Sequence, residues 1–284
     1  MQPFKFYEPE SLTDACSLLT GLQGNCRLLA GGTDLLVQLK ENLISVDNII
    51  NLKLIPGLDK IEFDENFGLR VGALVTWTML RDSKAVRDYY PALMQAAETM
   101  ACDQVRNRAT LAGNICHASP AANGPIPLLL YDAECRSCSS ENERKMPIAR
   151  MFSGVQENSL NEGEILAEII IPPPTPGVRS IYHKYSTRRA MDLAIVGVGV
   201  SVLRKNGLND NVRIALGSVS TTPIRALKAE RLLTGKSMDS NLIEEACELA
   251  CNECNPVSDV RASRQYRLEL VRGLVSQALK ECSA

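Results

Sequence analysis

The sequence predicts an α+β protein in two parts, and three features carry that expectation. Strand-like and helix-like stretches alternate at short spacing over residues 1–55. A rigid break, Pro172-Pro173-Pro174-Thr175-Pro176-Gly177, divides the chain. Beyond it strand-like runs come first and helices follow, the order of an α+β unit. At 284 residues the chain is long enough for about two domains, each with its own core. We place the first at 1–174, with subdomains at about 1–55 and 56–174, and the second at 178–284.

Ser11 and Asp14 form a capping-box-like start to a helix over residues 11–22, with Leu12, Ala15, Leu18, Leu19 and Leu22 on one face. Gly24 ends it, and Cys26 to Ala30 reads as a strand. A Gly31-Gly32 loop follows, then a short apolar segment from Leu35 to Lys40 that fits helix or strand. Asn48 to Leu52 is a further buried strand, which makes this unit βαβ-like. Ile61 to Phe63 and Gly68 to Ala73 flank Asp64-Glu65-Asn66 as a hairpin. Thr76 opens a helix, and Pro91 splits the periodic run from Ala85 to Met100 into two helices. A second small-residue turn is expected at Thr110-Leu111-Ala112-Gly113-Asn114. Leu128 to Ala133 and Ala167 to Ile171 fit strand or helix. After the proline break, Ile181 to Tyr185, Ile195 to Leu203 and Val212 to Val219 read as a three-stranded antiparallel sheet turned at Asn206-Gly207. Leu242 to Cys254 and Ser263 to Leu279 are helical by period.

Composition is that of a globular chain. Apolar residues make up 45%, charged residues 23%, and the net charge is -2, so no bulk-charge footprint for nucleic acid is present. No apolar run is long enough to span a bilayer, and the N-terminus lacks a basic stretch followed by an apolar core. We expect a cytoplasmic protein that binds neither membrane nor nucleic acid. The ten cysteines are scattered and fit free thiols. Two C-x-x-C pairs, Cys135/Cys138 and Cys251/Cys254, lie too far apart in sequence for a zinc ribbon, and no metal site is expected.

The chemistry is expected at the glycine-bearing loops. Leu28-Leu29-Ala30-Gly31-Gly32-Thr33-Asp34 is an apolar run breaking into two glycines, the pattern of a buried strand turning into a loop that lies against a ligand. Backbone N–H groups in such a loop converge on anions, although the pair also fits an ordinary turn. With the second turn, and the hydroxyls of Thr33 and Thr110, two loops could hold a diphosphate. There is no G-x-G-x-x-G and no G-x-x-x-x-G-K-[ST], which disfavours a Rossmann or P-loop site. His117 follows the second turn, where a ligand held there would extend, while His183 sits in an amphipathic strand and reads as a structural hydrogen bonder. No G-x-S-x-G or triad spacing supports nucleophilic hydrolysis. The charged group from Lys184 to Asp192 fits a solvated face as readily as a ligand contact.

Four segments in order, AGGTDLLVQLK at 30–40, VRNRATLAGNICHASPAANGPIPLLLYDA at 105–133, GEILAEIIIP at 163–172 and YHKYSTRRAMDLAIVGVGV at 182–200, resemble the medium, FAD-binding subunit of the molybdenum hydroxylases, the xanthine dehydrogenase and carbon monoxide dehydrogenase type. The resemblance covers essentially the whole chain. It implies the FAD-binding domain shared with vanillyl-alcohol oxidase, followed by a smaller α+β domain. It implies that Arg27, Leu28, Leu29, Ala30, Gly31, Gly32, Thr33 and Asp34 wrap the FAD diphosphate and that Ala109, Thr110, Gly113 and Asn114 form a second loop against it. Ile165 and Leu166 match positions that contact the adenosine end through backbone, Lys184 matches a lysine near the flavin ring, and His117 and Asn123 match positions facing the cofactor. At Asn123 several xanthine dehydrogenases carry aspartate. The cysteine-rich insertion that holds a 4Fe–4S cluster in some members is missing, so no cluster is expected here.

The same resemblance implies partners: a large molybdopterin-binding subunit and a small subunit with two 2Fe–2S clusters, in a dimer of heterotrimers. Electrons would reach FAD from those clusters and pass to NAD⁺, or to a quinone, ferredoxin or dioxygen, in the oxidation of xanthine or a related heterocycle. A stand-alone flavin oxidase of the same fold class, and a scaffold that has lost FAD, are the alternatives.

Overall fold

The computed structural model describes residues 2–188 and 190–283. Its first unit is a three-stranded parallel sheet built from β1 (Lys5–Tyr7), α1 (Leu12–Gly21), β2 (Cys26–Leu29), α2 (Leu35–Lys40) and β3 (Asn48–Asn51), with β3 in the centre. All four residues of β3 are buried, which is why its sequence is a continuous apolar run bracketed by asparagines. The Ser11 hydroxyl caps α1 by accepting from the Asp14 N–H at 3.1 Å and donates to the Asp14 carboxylate at 2.7 Å. The Leu35–Lys40 segment is a helix. Strand β1 escapes the sequence reading because it is three residues long and none of them is buried.

The second unit is a five-stranded antiparallel sheet, ordered β4-β5-β10-β6-β7, with helices inserted between its strands. The expected hairpin forms β4 (Ile61–Asp64) and β5 (Gly68–Gly72). Four helices follow: α3 (Trp77–Asp82), capped by Thr76, then α4 (Lys84–Tyr89), α5 (Pro91–Glu98) and α6 (Asp103–Arg106). Pro91 begins α5, so the expected break falls at the proline. Next come α7 (Leu111–His117), α8 (Pro125–Leu130), β6 (Glu134–Cys138), β7 (Glu143–Pro147), the small ribbon of β8 (Phe152–Gly154) and β9 (Glu157–Asn158), and β10 (Ile165–Ile171). Of the other two segments that fit either state, Leu128–Ala133 is half the end of α8 and half the turn after it, and Ala167–Ile171 is strand. At the sheet's centre Glu168 is bonded by Arg70 at 3.0 Å and Arg136 at 3.2 Å, so the buried carboxylate ties three strands together.

The third unit is an antiparallel sheet of β11 (Val178–Tyr185), β12 (Val196–Lys205), β13 (Leu208–Gly217) and β14 (Ile224–Arg225), then α9 (Leu227–Leu233), α10 (Ser240–Glu253) and α11 (Arg264–Ser283). Asn206 and Gly207, with φ of 52° and 81°, make the tight turn between β12 and β13. The sheet has four strands rather than the expected three: β14 is a two-residue edge strand, too short to leave a period in the sequence.

Strand β12 has two different faces. Val196, Val198, Val200 and Val202 join the core formed with α9, α10 and α11. Gly197 and Gly199 face the other way, where a Cβ would fall 2.5 and 2.7 Å from Ile126 of α8. The glycines therefore let a helix of the preceding unit lie directly on the sheet. Polar contacts fasten the same junction: Asp132 pairs with Arg213 and Arg225, and Tyr131 bonds Ser180 at 2.7 Å.

Candidate functional site

The Gly31-Gly32 turn leaves β2 at its C-terminal end and enters α2. Leu28 and Leu29 pack into the interior while Arg27 is exposed, its guanidinium bonded to the Cys26 carbonyl at 3.1 Å. The Leu36 N–H donates to the Gly32 carbonyl and the Gln38 N–H to the Asp34 carbonyl, so the first turn of α2 holds the end of the loop. Gly32 has a φ of +77°, which favours glycine. Gly31 is constrained differently: a Cβ there would stand 2.2 Å from the Arg108 carbonyl oxygen and 3.0 Å from Ala109 Cα. The first loop thus touches the second, backbone to backbone.

That second segment is not the turn expected from its small residues. Thr110 ends an isolated β-bridge to Thr76, and its hydroxyl accepts the Gly113 N–H at 3.0 Å, capping helix α7. The small residues mark a capped helix start: Ala109 and Ala112 are buried, and a Cβ on Gly113 would approach the Thr110 hydroxyl at 2.8 Å. Asn114 accepts the Gly124 N–H at 3.0 Å and so fixes the entry to α8. His117 closes α7, with its Nε2 3.9 Å from the Asp34 carboxylate across the junction. Asn158 donates to the Cys116 carbonyl at 2.8 Å and Gln156 to that of Ala118, which hold the end of the helix. Asn123 is 3% exposed, and its side-chain Nδ2 is buried with no partner.

The other expected positions lie on β10, against which α7 packs, and on β11. Ile165 and Leu166 are buried in β10, with their backbones in register with Cys138 and Ser137 of β6. Lys184 is the penultimate residue of β11, and its ammonium donates to the Asp192 carbonyl at 2.8 Å and the Thr99 carbonyl at 3.3 Å. Burial lowers its proton affinity, and the Asp192 charge opposes that shift. A hollow beside it is lined by Thr99, Lys184, Tyr185, Ser186, Thr187 and Arg188. Arg189, in the charged group read from sequence, lies outside the described residues. His183 faces Glu281 of α11 at 3.3 Å.

Cys135 and Cys138 belong to the core of the first two units, Cys251 and Cys254 to that of the third, so no single ion can join the two pairs. Burial pushes the Cys135 and Cys254 thiols up to about 12. Sequence reasoning missed the Thr76–Thr110 bridge and the Arg108 carbonyl as the surface on which the glycine turn rests. The only available signal was Thr76 as a helix start.

Residues 2–174 match the family described as the FAD binding domain in molybdopterin dehydrogenase, and residues 181–282 match the CO dehydrogenase flavoprotein C-terminal domain. The chain belongs to the FAD-binding subunit family of the molybdenum hydroxylases. It is 32% identical over 280 residues to the xanthine dehydrogenase FAD-binding subunit of Escherichia coli O157:H7, covering 98% of this chain and 96% of that one. It is 31% identical to the carbon monoxide dehydrogenase medium chain of Hydrogenophaga pseudoflava, covering 97% and 96%. Among solved structures, carbon monoxide dehydrogenase from H. pseudoflava superposes with a TM-score of 0.95 at 30% identity, over 99% of this chain and 98% of that one. Quinoline 2-oxidoreductase from Pseudomonas putida 86 gives 0.93 at 28% identity, over 99% and 97%. This molybdenum hydroxylase subunit therefore shares a whole-chain fold with chains of two enzymes that are named for different substrates. No helix among its described residues is long and apolar enough to cross a membrane.

Proposed function

We propose that the chain is the electron-transferring FAD subunit of a heteromeric molybdenum hydroxylase. The observation that carries this reading is the direct packing of the Gly31 turn on the Arg108–Ala109 backbone, which presents two side-chain-poor segments side by side. A dinucleotide diphosphate fits such a surface, and the buried, unpartnered Asn123 Nδ2 has a donor to spare for the same ligand. In this reading residues 1–174 form the FAD-binding domain, with subdomains at about 1–55 and 56–174, and 178–284 form the C-terminal domain. Arg27 to Asp34 and Ala109, Thr110, Gly113 and Asn114 hold the diphosphate and ribityl chain. His117 and Asn123 face the cofactor, Ile165 and Leu166 meet the adenosine end through backbone, and Lys184 stands near the flavin ring.

Bound FAD supplies the exchange between single electrons arriving from 2Fe–2S clusters on a small partner subunit and a two-electron transfer to NAD⁺ or another acceptor. The chain's own residues bind and orient. Asn114, tied to Gly124, fixes the segment that carries Asn123, and Asp34 meets His117, joining the two halves of the site. The substrate is set elsewhere, on a large molybdopterin-binding subunit. Relatives named for xanthine, carbon monoxide, glyceraldehyde and nicotinate share this chain's full length, which supports assigning no substrate pocket to it. Oxidation of xanthine or a related heterocycle, in a dimer of heterotrimers in the cytoplasm, is the assembly we propose.

The test is direct. Purified chain should carry flavin absorbance, and its bound FAD should be reduced when the co-purified partner subunits receive their substrate. A colourless preparation that FAD cannot reconstitute overturns the reading. Steady turnover of a small alcohol by the chain alone would instead make it a free-standing oxidase.

A further inference from the structure

We propose that Lys53 and Arg108, one on each side of the Gly31 turn, form a two-cation seat for the diphosphate of FAD. The inference rests on the reading that FAD binds between the two loops. It adds a source of charge recognition that the glycine loops themselves do not contain.

Position comes first. The Leu52 N–H donates to the Leu29 carbonyl at 3.1 Å, so Lys53, the next residue, leaves β3 beside the point where β2 becomes the glycine turn. The Asn51 side chain accepts the Lys53 N–H at 3.3 Å and fixes that exit. On the other side the Arg108 backbone is the surface Gly31 rests on, with its carbonyl oxygen 2.2 Å from where a Cβ would be. The Val105 carbonyl accepts the Arg108 N–H at 3.0 Å, and Ala109, which follows, is buried. Both side chains thus start from fixed backbone flanking the same turn.

Charge comes second. Three arginines of the same domain have carboxylates: Arg106 pairs with Asp103, Arg81 with Asp82 and Asp103, and Arg70 with Glu168, whereas Arg27, in the first loop, bonds only the Cys26 carbonyl. Lys53 and Arg108 have none within 4.0 Å among the described residues. Both residues are exposed, and the proton affinity of the Lys53 ammonium is lowered first by partial desolvation and then by the Arg108 charge. Asp34, the acid of the turn itself, faces His117. Two like charges beside a pair of glycines are unfavourable alone and complementary to a ligand with two negative charges.

FAD titrations of the deflavinated full chain test the seat, with Lys53→Met, Arg108→Met and the double variant. Each single variant should weaken FAD binding by about tenfold at low ionic strength, and the loss should shrink as salt rises from about 50 to about 500 mM. The double variant should lose about a hundredfold if the two contacts act independently. Lys53→Arg and Arg108→Lys should recover most of the affinity, while binding of riboflavin, which has no diphosphate, should not change in any variant. Wild-type affinity and salt dependence in the double variant would overturn the seat, as would an equal loss of riboflavin binding. Unchanged FAD affinity with lost assembly onto the partner subunits would also overturn it, by placing the cations on a docking surface. If the wild-type chain binds no FAD at all, the functional reading itself fails, and that outcome is distinct from the others.

Discussion

Replacing Gly31 by alanine is the sharpest perturbation of the proposed site, because it adds one carbon at the point where the two loops meet. That carbon would stand 2.2 Å from the Arg108 carbonyl oxygen, 2.9 Å from its carbonyl carbon and 3.0 Å from Ala109 Cα, where ordinary contact begins near 3.4 Å. All three neighbours are backbone, so no side chain can swing aside, and the segments must separate by about 1 Å. Overpacking of this kind costs about 1–3 kcal/mol, which in a chain of this size lowers the melting temperature of the apo form by roughly 2–10 °C. The ligand is hit harder. Hydrogen bonds to a charged group contribute about 1.5–3 kcal/mol each, and loss of the geometry for one or two of them weakens FAD by about a hundredfold. Fluorescence titration of FAD into the apo chain and a thermal melt without FAD measure the two effects. Gly32→Ala is the control. Its Cβ would meet only the side-chain tips of Leu29 and Leu36, at 2.8 and 3.1 Å, and its φ of +77° costs about 1–2 kcal/mol of backbone strain, so it should lower stability with a smaller loss of FAD affinity. Stoichiometric FAD at wild-type affinity in Gly31→Ala would refute the loop-against-loop account.

Lys184→Met should retain FAD while the midpoint potential of the bound flavin falls by tens of millivolts, taking about 30 mV as tenfold for a two-electron couple; an unchanged potential with a lower melting temperature would mean that the lysine only ties residues 99 and 192 together. Asp132→Ala removes the shared partner of Arg213 and Arg225 at the junction of the units and should cost about 0.5–1 kcal/mol in a denaturant melt, with Arg225 still held by Glu230. The Arg144 guanidinium beside Glu164 holds that carboxyl below its usual value of 4.5. Its folded form is therefore the weaker proton binder, and the stability it contributes is present above pH 4.5 and is lost as pH falls through the lowered folded value. Glu164→Gln should make the acid limb of the stability profile shallower, and an identical limb would remove this pair from acid unfolding.

What the sequence made legible depends on how local the cause is. Ser11 and Thr76 cap helices through their own hydroxyls three residues on, and Pro91 starts one, so these boundaries follow from neighbours alone. The stretch from Thr110 to Asn114 was misread because glycine and alanine are small for two different reasons. Gly31 is small because another backbone lies against it, whereas Ala112 and Gly113 start a helix that is capped by Thr110 and buried against the sheet. Residue type does not separate those causes; the Thr76 bridge does, and it joins residues 34 positions apart. Strands β6 and β7 carry charges at alternate positions, Glu134, Arg136, Glu143 and Lys145, and too few large apolar residues between them to stand out as strands. Arg136 is there for Glu168, a partner from another strand that no sequence window contains.

Strand β12 shows how one short pattern can specify more than its own secondary structure. In Val196-Gly197-Val198-Gly199-Val200 the alternation has the period of two that sends successive residues to opposite faces. Valines on one face fill the core with α10 and α11; glycines on the other admit Ile126 and Leu130 of α8 at distances where a Cβ would not fit. Helix α8 begins immediately after Asn123 and Gly124, and Gly124 is tied to Asn114 of α7. The Ser218 N–H reaches the Pro120 carbonyl at 2.8 Å from the end of β13, fastening the segment that precedes Asn123 to the same sheet. The segment carrying the unpartnered Asn123 amide is thus held by α7 at one side and by the C-terminal sheet at the other. The C-terminal sheet, which contributes none of the glycine loops, nevertheless fixes a segment of the proposed site, which gives a physical reason for the two units to occur as one chain.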